Sequence, residues 1–309
     1  MSGLPYLDGD ALERLVPYRR AVRVLEQALR DGLDPESAPP RTGVAFPAGE
    51  LLLMPAASGR YAGVKVVSVA PGNPERGLPR IQGTYLLLDG DTLAPLAAID
   101  GIALTSLRTP AVSALAVAHL AEPGARRLVV YGSGPQAWGH VLALREVRPV
   151  EHVTVVGRDL ARAEARAARC QALGLTAEAR TTEGGRIAEA DLVVCCTTAR
   201  EPLFPGKLAR DGVTVVAVGS HEPEARELDD DLVARATLVV EARTAALAEA
   251  GDVIMPIRHG TITSGHLAGN LAELIAGRVI AGPGPRVFKS TGMAWEDLVV
   301  AAAAYEAWT

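Results

Sequence analysis

RLVVYGSGPQAWGHVLALREV, residues 127–147, is the stretch whose reading decides the fold. The apolar run LVVY reads as a strand, and the segment from Pro135 onward reads as a helix. Between them stands G-x-G-x-x-A, made by Gly132, Gly134 and Ala137. Gly132 permits the tight turn, Gly134 lets the backbone approach a pyrophosphate, and the small Ala137 allows close helix packing. Amides at the helix N-terminus then face the phosphates. Alone the motif is weak; with a strand before it and a helix after it, it reads as a dinucleotide-binding turn.

A second apolar run, VTVVGRDLARA (153–163), stops at Gly157, 25 residues after Gly132. Enzymes that use NAD usually present Asp or Glu here to hold the ribose hydroxyls. This chain has Gly157 followed by Arg158. A carboxylate repels a 2′-phosphate, whereas a guanidinium binds it through paired charge-assisted hydrogen bonds, and Gly157 leaves room for it. The expected cofactor is NADPH. NADH is the alternative if Asp159 swings toward the ribose; the plainer reading of the pair is that Arg158 is a solvated surface charge and Asp159 caps the next helix.

Outward from these two runs, the chain after Arg126 alternates short apolar runs with helical segments. HVTVVG, DLVVCCT, VTVVAVG and TLVVEA are strand candidates, and LARAEARAARCQAL is a helix whose basic side reads as a solvated face. Such alternation calls for a mainly parallel sheet with helices on both faces. The N-terminal part reads differently. A helix around Tyr18 to Arg30 and a Pro-rich turn precede the strand candidates RTGVAF, ELLLMP, GVKVVSVA, GTYLLLD and PLAAID, with Asp89-Gly90 suited to a hairpin turn. AGPGPR (281–286) reads as a linker, and a helix from Met293 to Trp308 is expected to pack back on the first domain. The expected fold is therefore α/β, a Rossmann-type doubly wound domain over 121–286 inserted into a mixed α+β domain made of 1–120 and 287–309.

Composition narrows the function. Of 309 residues 49% are apolar, and the net charge is −5, which speaks against disorder and against a nucleic-acid-binding surface. The N-terminus has no basic start followed by an apolar core, and no uninterrupted apolar run approaches the roughly 20 residues that cross a bilayer. A cytoplasmic protein with small-molecule partners, and no membrane partner, is expected. Cys170, Cys195 and Cys196 form no C-x-x-C pair and the six histidines show no H-x-x-x-H spacing, so no metal is expected. FPGKL (204–208) lacks the earlier glycine and the Ser or Thr of a P-loop, and there is no G-x-S-x-G elbow.

Three basic residues stand among apolar neighbours: Arg41 before TGVAF, Lys65 in GVKVVSVA and Arg108 in IALTSLRTPAVSALAVAHL. A buried cation needs an anionic partner. No acid is close in sequence, so either a substrate carboxylate or an acid distant in the chain fills that need.

Together, RTGV, GVKVVSVAPGNPERGLP, QGTYLLLD, TSLRTPAVSALA, the glycine turn, VGSHEPEARELDDDL, EAGDVIMPI and VFKSTGMAWEDL occur in an order that resembles the ornithine cyclodeaminase and μ-crystallin family over nearly the whole chain. The resemblance implies a homodimer whose first domain, completed by the C-terminal helix, binds substrate and forms the dimer. It implies that Arg41, Lys65 and Arg108 line the active site, the arginines holding a substrate carboxylate. Cofactor contacts are expected from Gly132, Ser133, Gly134, Gln136, Ala137, Gly157, Arg158 and Asp159, and from Thr197, Gly219 and Ser220 further on. Cyclodeaminases of the family carry a catalytic aspartate where this chain has His221, which undermines the full deaminating cycle. His221 either acts as acid or base or is an exposed, inert side chain.

The expected activity is NADPH-dependent reduction of cyclic imine carboxylates, Δ1-pyrroline-2-carboxylate or Δ1-piperideine-2-carboxylate, to proline or pipecolate. Lys65 is expected to orient the substrate and supply a proton, with Thr84 as a polar contact and Glu249 in proton exchange. The alternatives are an ornithine cyclodeaminase, an amino-acid or N-alkyl amino-acid dehydrogenase, and a crystallin-like NADPH-binding protein without turnover.

Overall fold

Period-two alternation in the N-terminal third builds a six-stranded sheet. In the structure, a computed structural model describing residues 3–181 and 186–309, its strands are β1 (Tyr6–Leu7), β2 (Thr42–Phe46), β3 (Gly49–Ser58), β4 (Tyr61–Val69), β5 (Ile81–Asp89) and β6 (Pro95–Asp100). Their spatial order is β1-β6-β5-β4-β3-β2, antiparallel throughout except for β1 beside β6. The register places Met54, Lys65, Tyr85 and Ile99 in one row across four strands, and all four are buried. The adjacent row, Leu53, Val66 and Thr84, stands on the opposite face and is half-buried or exposed.

Helices pack on the first of these faces. α1 (Gly9–Leu15) is capped by Asp8, whose carboxylate accepts from the Ala11 amide at 2.8 Å. α2 (Tyr18–Arg30) buries Ala21, Val22, Leu25 and Leu29, the helical stripe its sequence predicts. The C-terminal helix α10 (Ala294–Trp308) packs on β3, β4 and α2. These elements form one compact unit, Met1–Arg108 with Met293–Thr309.

The second unit, Thr109–Gly292, holds an all-parallel sheet of eight strands. They are β7 (Arg127–Tyr131), β8 (His152–Val156), β9 (Thr176–Arg180), β10 (Leu192–Cys195), β11 (Thr214–Ala217), β12 (Thr237–Val240), β13 (Leu267–Asn270) and β14 (Arg286–Lys289), ordered β13-β12-β14-β11-β10-β7-β8-β9. Its helices are α4 (Pro135–Arg145), α5 (Leu160–Ala172), α6 (Asp230–Arg235), α7 (Arg243–Glu249), α8 (Gly251–Arg258) and α9 (Leu271–Ile275). The central strands are valine runs because both faces are covered: Val129, Val193, Val215 and Val287 share one core. Strand order reverses at β7, with β8 and β9 on one side and β10 and β11 on the other. Such a switch point opens a crevice beyond the strands' carboxyl ends, where ligands of this fold class bind.

Two features differ from the sequence reading. VFK, placed by sequence with the first domain, is β14, paired in parallel with both β11 and β12, so the second unit runs on to Gly292. The first boundary also shifts: the first unit's opening segment ends at Arg108 rather than at residue 120, inside α3 (Gly101–Leu120), an apolar helix of membrane-span length whose apolar window is 67% buried inside the protein.

His140 on α4 is fully enclosed, its Nδ1–H donating to the Gln136 carbonyl at 2.8 Å and Nε2 lying 2.9 Å from Ser113 Oγ. Burial, only partly opposed by the Gln136 bond, brings its pKa down to about 4. The unfolded chain therefore takes up this proton first as pH falls. The free energy of unfolding is expected to drop between about pH 6.5 and 4, by up to roughly 1.4 kcal/mol per pH unit from this residue. His140→Gln removes that part of the slope; an unchanged slope contradicts the assignment.

Candidate functional site

In the first unit the site is built around two buried cations. Lys65 projects from the middle of β4 and Arg108 from the second turn of α3, and both are almost wholly enclosed. Their anionic partners come from the first turn of α10. Lys65 Nζ lies 2.7 Å from Asp297 Oδ2, Arg108 Nη1 2.7 Å from Glu296 Oε2, and Arg108 Nε 3.2 Å from Asp297 Oδ1. Asp297 thus bridges the two cations through its two oxygens. Acidic residues also suit a helix N-terminus, where the backbone dipole is positive. Lys65 Nζ makes a further bond of 3.2 Å to Thr105 Oγ1, one turn before Arg108 on α3.

The distant-acid reading of the isolated cations therefore describes this box: two positive and two negative charges, all sequestered. Burial lowers the Lys65 pKa to about 8; Asp297 works against the shift and Arg108 adds to it. The Tyr85 hydroxyl, on the same row as Lys65, is pushed well above its usual range by burial and by Asp297.

The other first-unit candidates are placed by register. Arg41 directly precedes β2 and is half-buried; continuing the strand's alternation puts it on the row of Met54 and Lys65. Thr84 pairs with Val66 while Lys65 pairs with Tyr85, so Thr84 is exposed on the opposite face of the sheet. It does not join the Lys65 cluster, because neighbouring residues on a strand alternate sides.

In the second unit the glycine turn joins β7 to α4. Gly132 has φ +125°, and a Cβ there would meet the Cys196 carbonyl oxygen at 2.8 Å, so only glycine fits. Gly134 opens onto empty space and caps α4 without any side chain bonded to the helix amides. Ala137 is buried, and the Gln136 side-chain oxygen is enclosed without a hydrogen-bond partner. Amides left uncapped by any side chain, room over Gly134 and an unused acceptor fit a dinucleotide pyrophosphate and its sugars.

Sequence reasoning missed what fastens this turn. Arg166 of α5 is half-buried and donates from Nη2 to the carbonyls of Ser133 and Gly134 at 3.1 and 3.2 Å. Arg169, one turn later, stacks over Trp138 with 3.9 Å from its guanidinium carbon to the ring centroid. The basic side of α5 is thus not simply a solvated face. At the end of β8, Arg158 is exposed, while Asp159 is engaged as the α5 cap, accepting from the Arg162 amide at 3.1 Å.

Thr197 follows β10, which pairs with β7, and Gly219 and Ser220 follow β11, the next strand out on that side of the switch point. His221 is exposed just after Ser220, and Glu249 closes α7, half-buried.

With this geometry in view, the sequence profile of the ornithine cyclodeaminase/mu-crystallin family matches residues 12–309. A Delta(1)-pyrroline-2-carboxylate reductase of Bacillus cereus (strain ZK / E33L) is 38% identical over 262 residues, spanning 82% of this chain and 80% of its own. A solved Thermococcus litoralis Delta(1)-pyrroline-2-carboxylate reductase, in complex with NADH and L-proline, superposes with TM-score 0.91 at 32% identity, covering 98% of this chain and 97% of that one. An archaeal alanine dehydrogenase dimer with bound NAD gives TM-score 0.90 at 29% identity, over 98% and 95% of the two chains.

Removing one partner from a buried ion pair leaves an uncompensated charge, at a cost of about 3–5 kcal/mol. Asp297→Ala is expected to lower the stability of the chain by that amount in denaturant titrations, and Arg30→Ala, at an exposed helical pair, by less than about 0.5 kcal/mol. Equal effects of the two would contradict the box as drawn.

Proposed function

The chain belongs to the ornithine cyclodeaminase/mu-crystallin family, and we propose that within it this protein is an NADPH-dependent reductase of cyclic imine carboxylates. Δ1-pyrroline-2-carboxylate and Δ1-piperideine-2-carboxylate are the substrates, and proline and pipecolate the products. The observation that carries the reading is Lys65, a buried ammonium whose pKa is brought to about 8 and whose position is held by Asp297. The Bacillus and Thermococcus reductases that the chain resembles supply the substrate class.

When bound, the cofactor supplies a hydride from nicotinamide C4. Arg41 and Arg108 attract the substrate carboxylate and so orient the imine carbon, with Arg108 keeping its bonds to Glu296 and Asp297. Lys65 keeps a proton at the imine nitrogen, and a protonated imine accepts hydride far better than a neutral one. With a pKa of about 8, Lys65 is mostly protonated at neutral pH yet gives up its proton more readily than an exposed lysine. Asp297 sets the distance between Lys65 and Arg108, so both cations meet the substrate in a fixed arrangement.

The preference for NADPH rests on Arg158. It is exposed at the end of β8, and the neighbouring carboxylate, Asp159, is engaged in capping α5 rather than directed at a ribose. The homodimer rests on the uncovered face of the six-stranded sheet. Leu53, Val66 and Leu86 are only half-buried there, and Val44 and Phe46 of the edge strand are exposed, an apolar surface that a second copy covers. The archaeal alanine dehydrogenase is a dimer of the same fold. We place this homodimer in the cytoplasm.

Spectrophotometric assays of NADPH and NADH oxidation test the reading. With either cyclic imine, kcat/KM for NADPH is expected to exceed that for NADH, and to fall as pH rises through about 8 while Lys65 loses its proton. Lys65→Met is expected to lower kcat by about 10²–10⁴-fold. Arg158→Ala is expected to raise the KM for NADPH by roughly 10–100-fold and leave that for NADH unchanged. Absence of turnover with both imines overturns the reading. Leu53→Asp is expected to turn the dimer into monomers in size-exclusion chromatography; an unchanged elution volume would place the dimer surface elsewhere.

A further inference from the structure

Three charged residues in the second unit are buried and lie outside the chemistry described so far. Glu227 follows β11 by a loop, Asp252 stands in the first turn of α8, and Lys289 ends β14; each is at most 1% exposed. They come from three stretches singled out in the sequence, VGSHEPEARELDDDL, EAGDVIMPI and VFKSTGMAWEDL.

They form one connected chain of contacts. Lys289 Nζ lies 2.8 Å from Asp252 Oδ2 and donates to the Ser220 carbonyl at 2.6 Å. Asp252 Oδ1 accepts from the backbone amides of Glu227 and Leu228 at 2.7 and 2.8 Å. Glu227 Oε1 accepts from the Thr197 amide and hydroxyl, both at 2.8 Å, and Oε2 accepts from the Gly219 amide at 2.7 Å. The packing is tight: a Cβ on Gly219 would collide with the Thr197 carbonyl and with Glu227 Oε1.

Buried ionic clusters are poor stabilisers, because desolvation consumes most of the Coulombic gain and apolar side chains of similar volume do as well. What this cluster does supply is location. Through it, the segment after β10 and the segment after β11 are bonded to each other and to the end of β14, and the backbone on either side of His221 is tied down. We propose that Glu227, Asp252 and Lys289 are positioning residues that hold Thr197 and Gly219–His221 where the nicotinamide half of the cofactor lies. This rests on the dinucleotide reading, and it assigns the adenine half to other groups: the glycine turn, Arg166 and Arg158.

That division of labour is measurable without turnover. Equilibrium binding of NADPH, which has both halves, is compared with binding of 2′,5′-ADP, which has the adenine side alone; NADH and ADP are used if the wild type selects NADH. Glu227→Gln, which turns one acceptor oxygen into an amino group facing backbone donors, is expected to weaken NADPH binding at least tenfold and leave 2′,5′-ADP binding within twofold of wild type. It also lowers kcat with little change in the KM for the imine. Lys289→Gln should behave in the same way, and Lys289→Arg, which keeps charge and donors, should recover most of the affinity. If Glu227→Gln does not fold, Asp252→Asn reads the same ratio, since it keeps an oxygen for the Glu227 and Leu228 amides.

Equal weakening of both ligands, or of neither, means that the cluster is only structural and overturns the proposal. A wild type that binds no fragment and no dinucleotide overturns the cofactor reading itself, and the proposal with it.

Discussion

Asp297 between Lys65 and Arg108 is the contact on which the first unit depends. An ammonium and a guanidinium without compensation inside a sheet-and-helix core would each cost several kcal/mol, and the carboxylates that compensate them, Glu296 and Asp297, come from α10. The last helix brings both required carboxylates in its first turn, where its own dipole favours them. The chain must therefore return to the first unit after completing the second. The buried charges and the discontinuous domain are two aspects of one constraint.

A neutralised box is also a useful chemical device. If the protein works as proposed, two cations held by two carboxylates keep fixed positions without substrate, so little reorganisation accompanies binding of its carboxylate. The same enclosure that would be costly for structure alone brings Lys65 to a pKa of about 8, within reach of proton transfer near neutrality. In the second unit the logic is similar but the groups are backbone: Gly132, Gly134 and the uncapped start of α4 present amides, while Arg166 and the Glu227 cluster hold the surrounding carbonyls and amides in place.

Much of this was legible in the sequence where local pattern carries the information. The glycine turn, the valine runs of the parallel sheet, the alternating strands β3 to β6 and the helix α2 follow from periodicity and turn chemistry. What depends on pairing at long range was not. VFK looks the same as an edge strand or as a central one, and only its bonds to β11 and β12 place it. Thr84 reads from sequence as a polar contact at the site, yet its pairing with Val66, one residue from Lys65, puts the two side chains on opposite faces. The acidic partners of Lys65 and Arg108 lie 188 or more residues away along the chain. One signal was present: Glu296 and Asp297 are adjacent acids in the first turn of a largely apolar helix, the counterpart of the lone cations Lys65 and Arg108 among apolar neighbours.

Deuterium tracing tests the central claim most directly. The protein is incubated with Δ1-pyrroline-2-carboxylate and NADPH deuterated at nicotinamide C4, and the product is analysed by mass spectrometry, with ornithine and NAD run in parallel for ammonia release. The account predicts proline carrying one deuterium at its α-carbon and no ammonia from ornithine. Ammonia from ornithine, or proline without label from either C4 position, would contradict it.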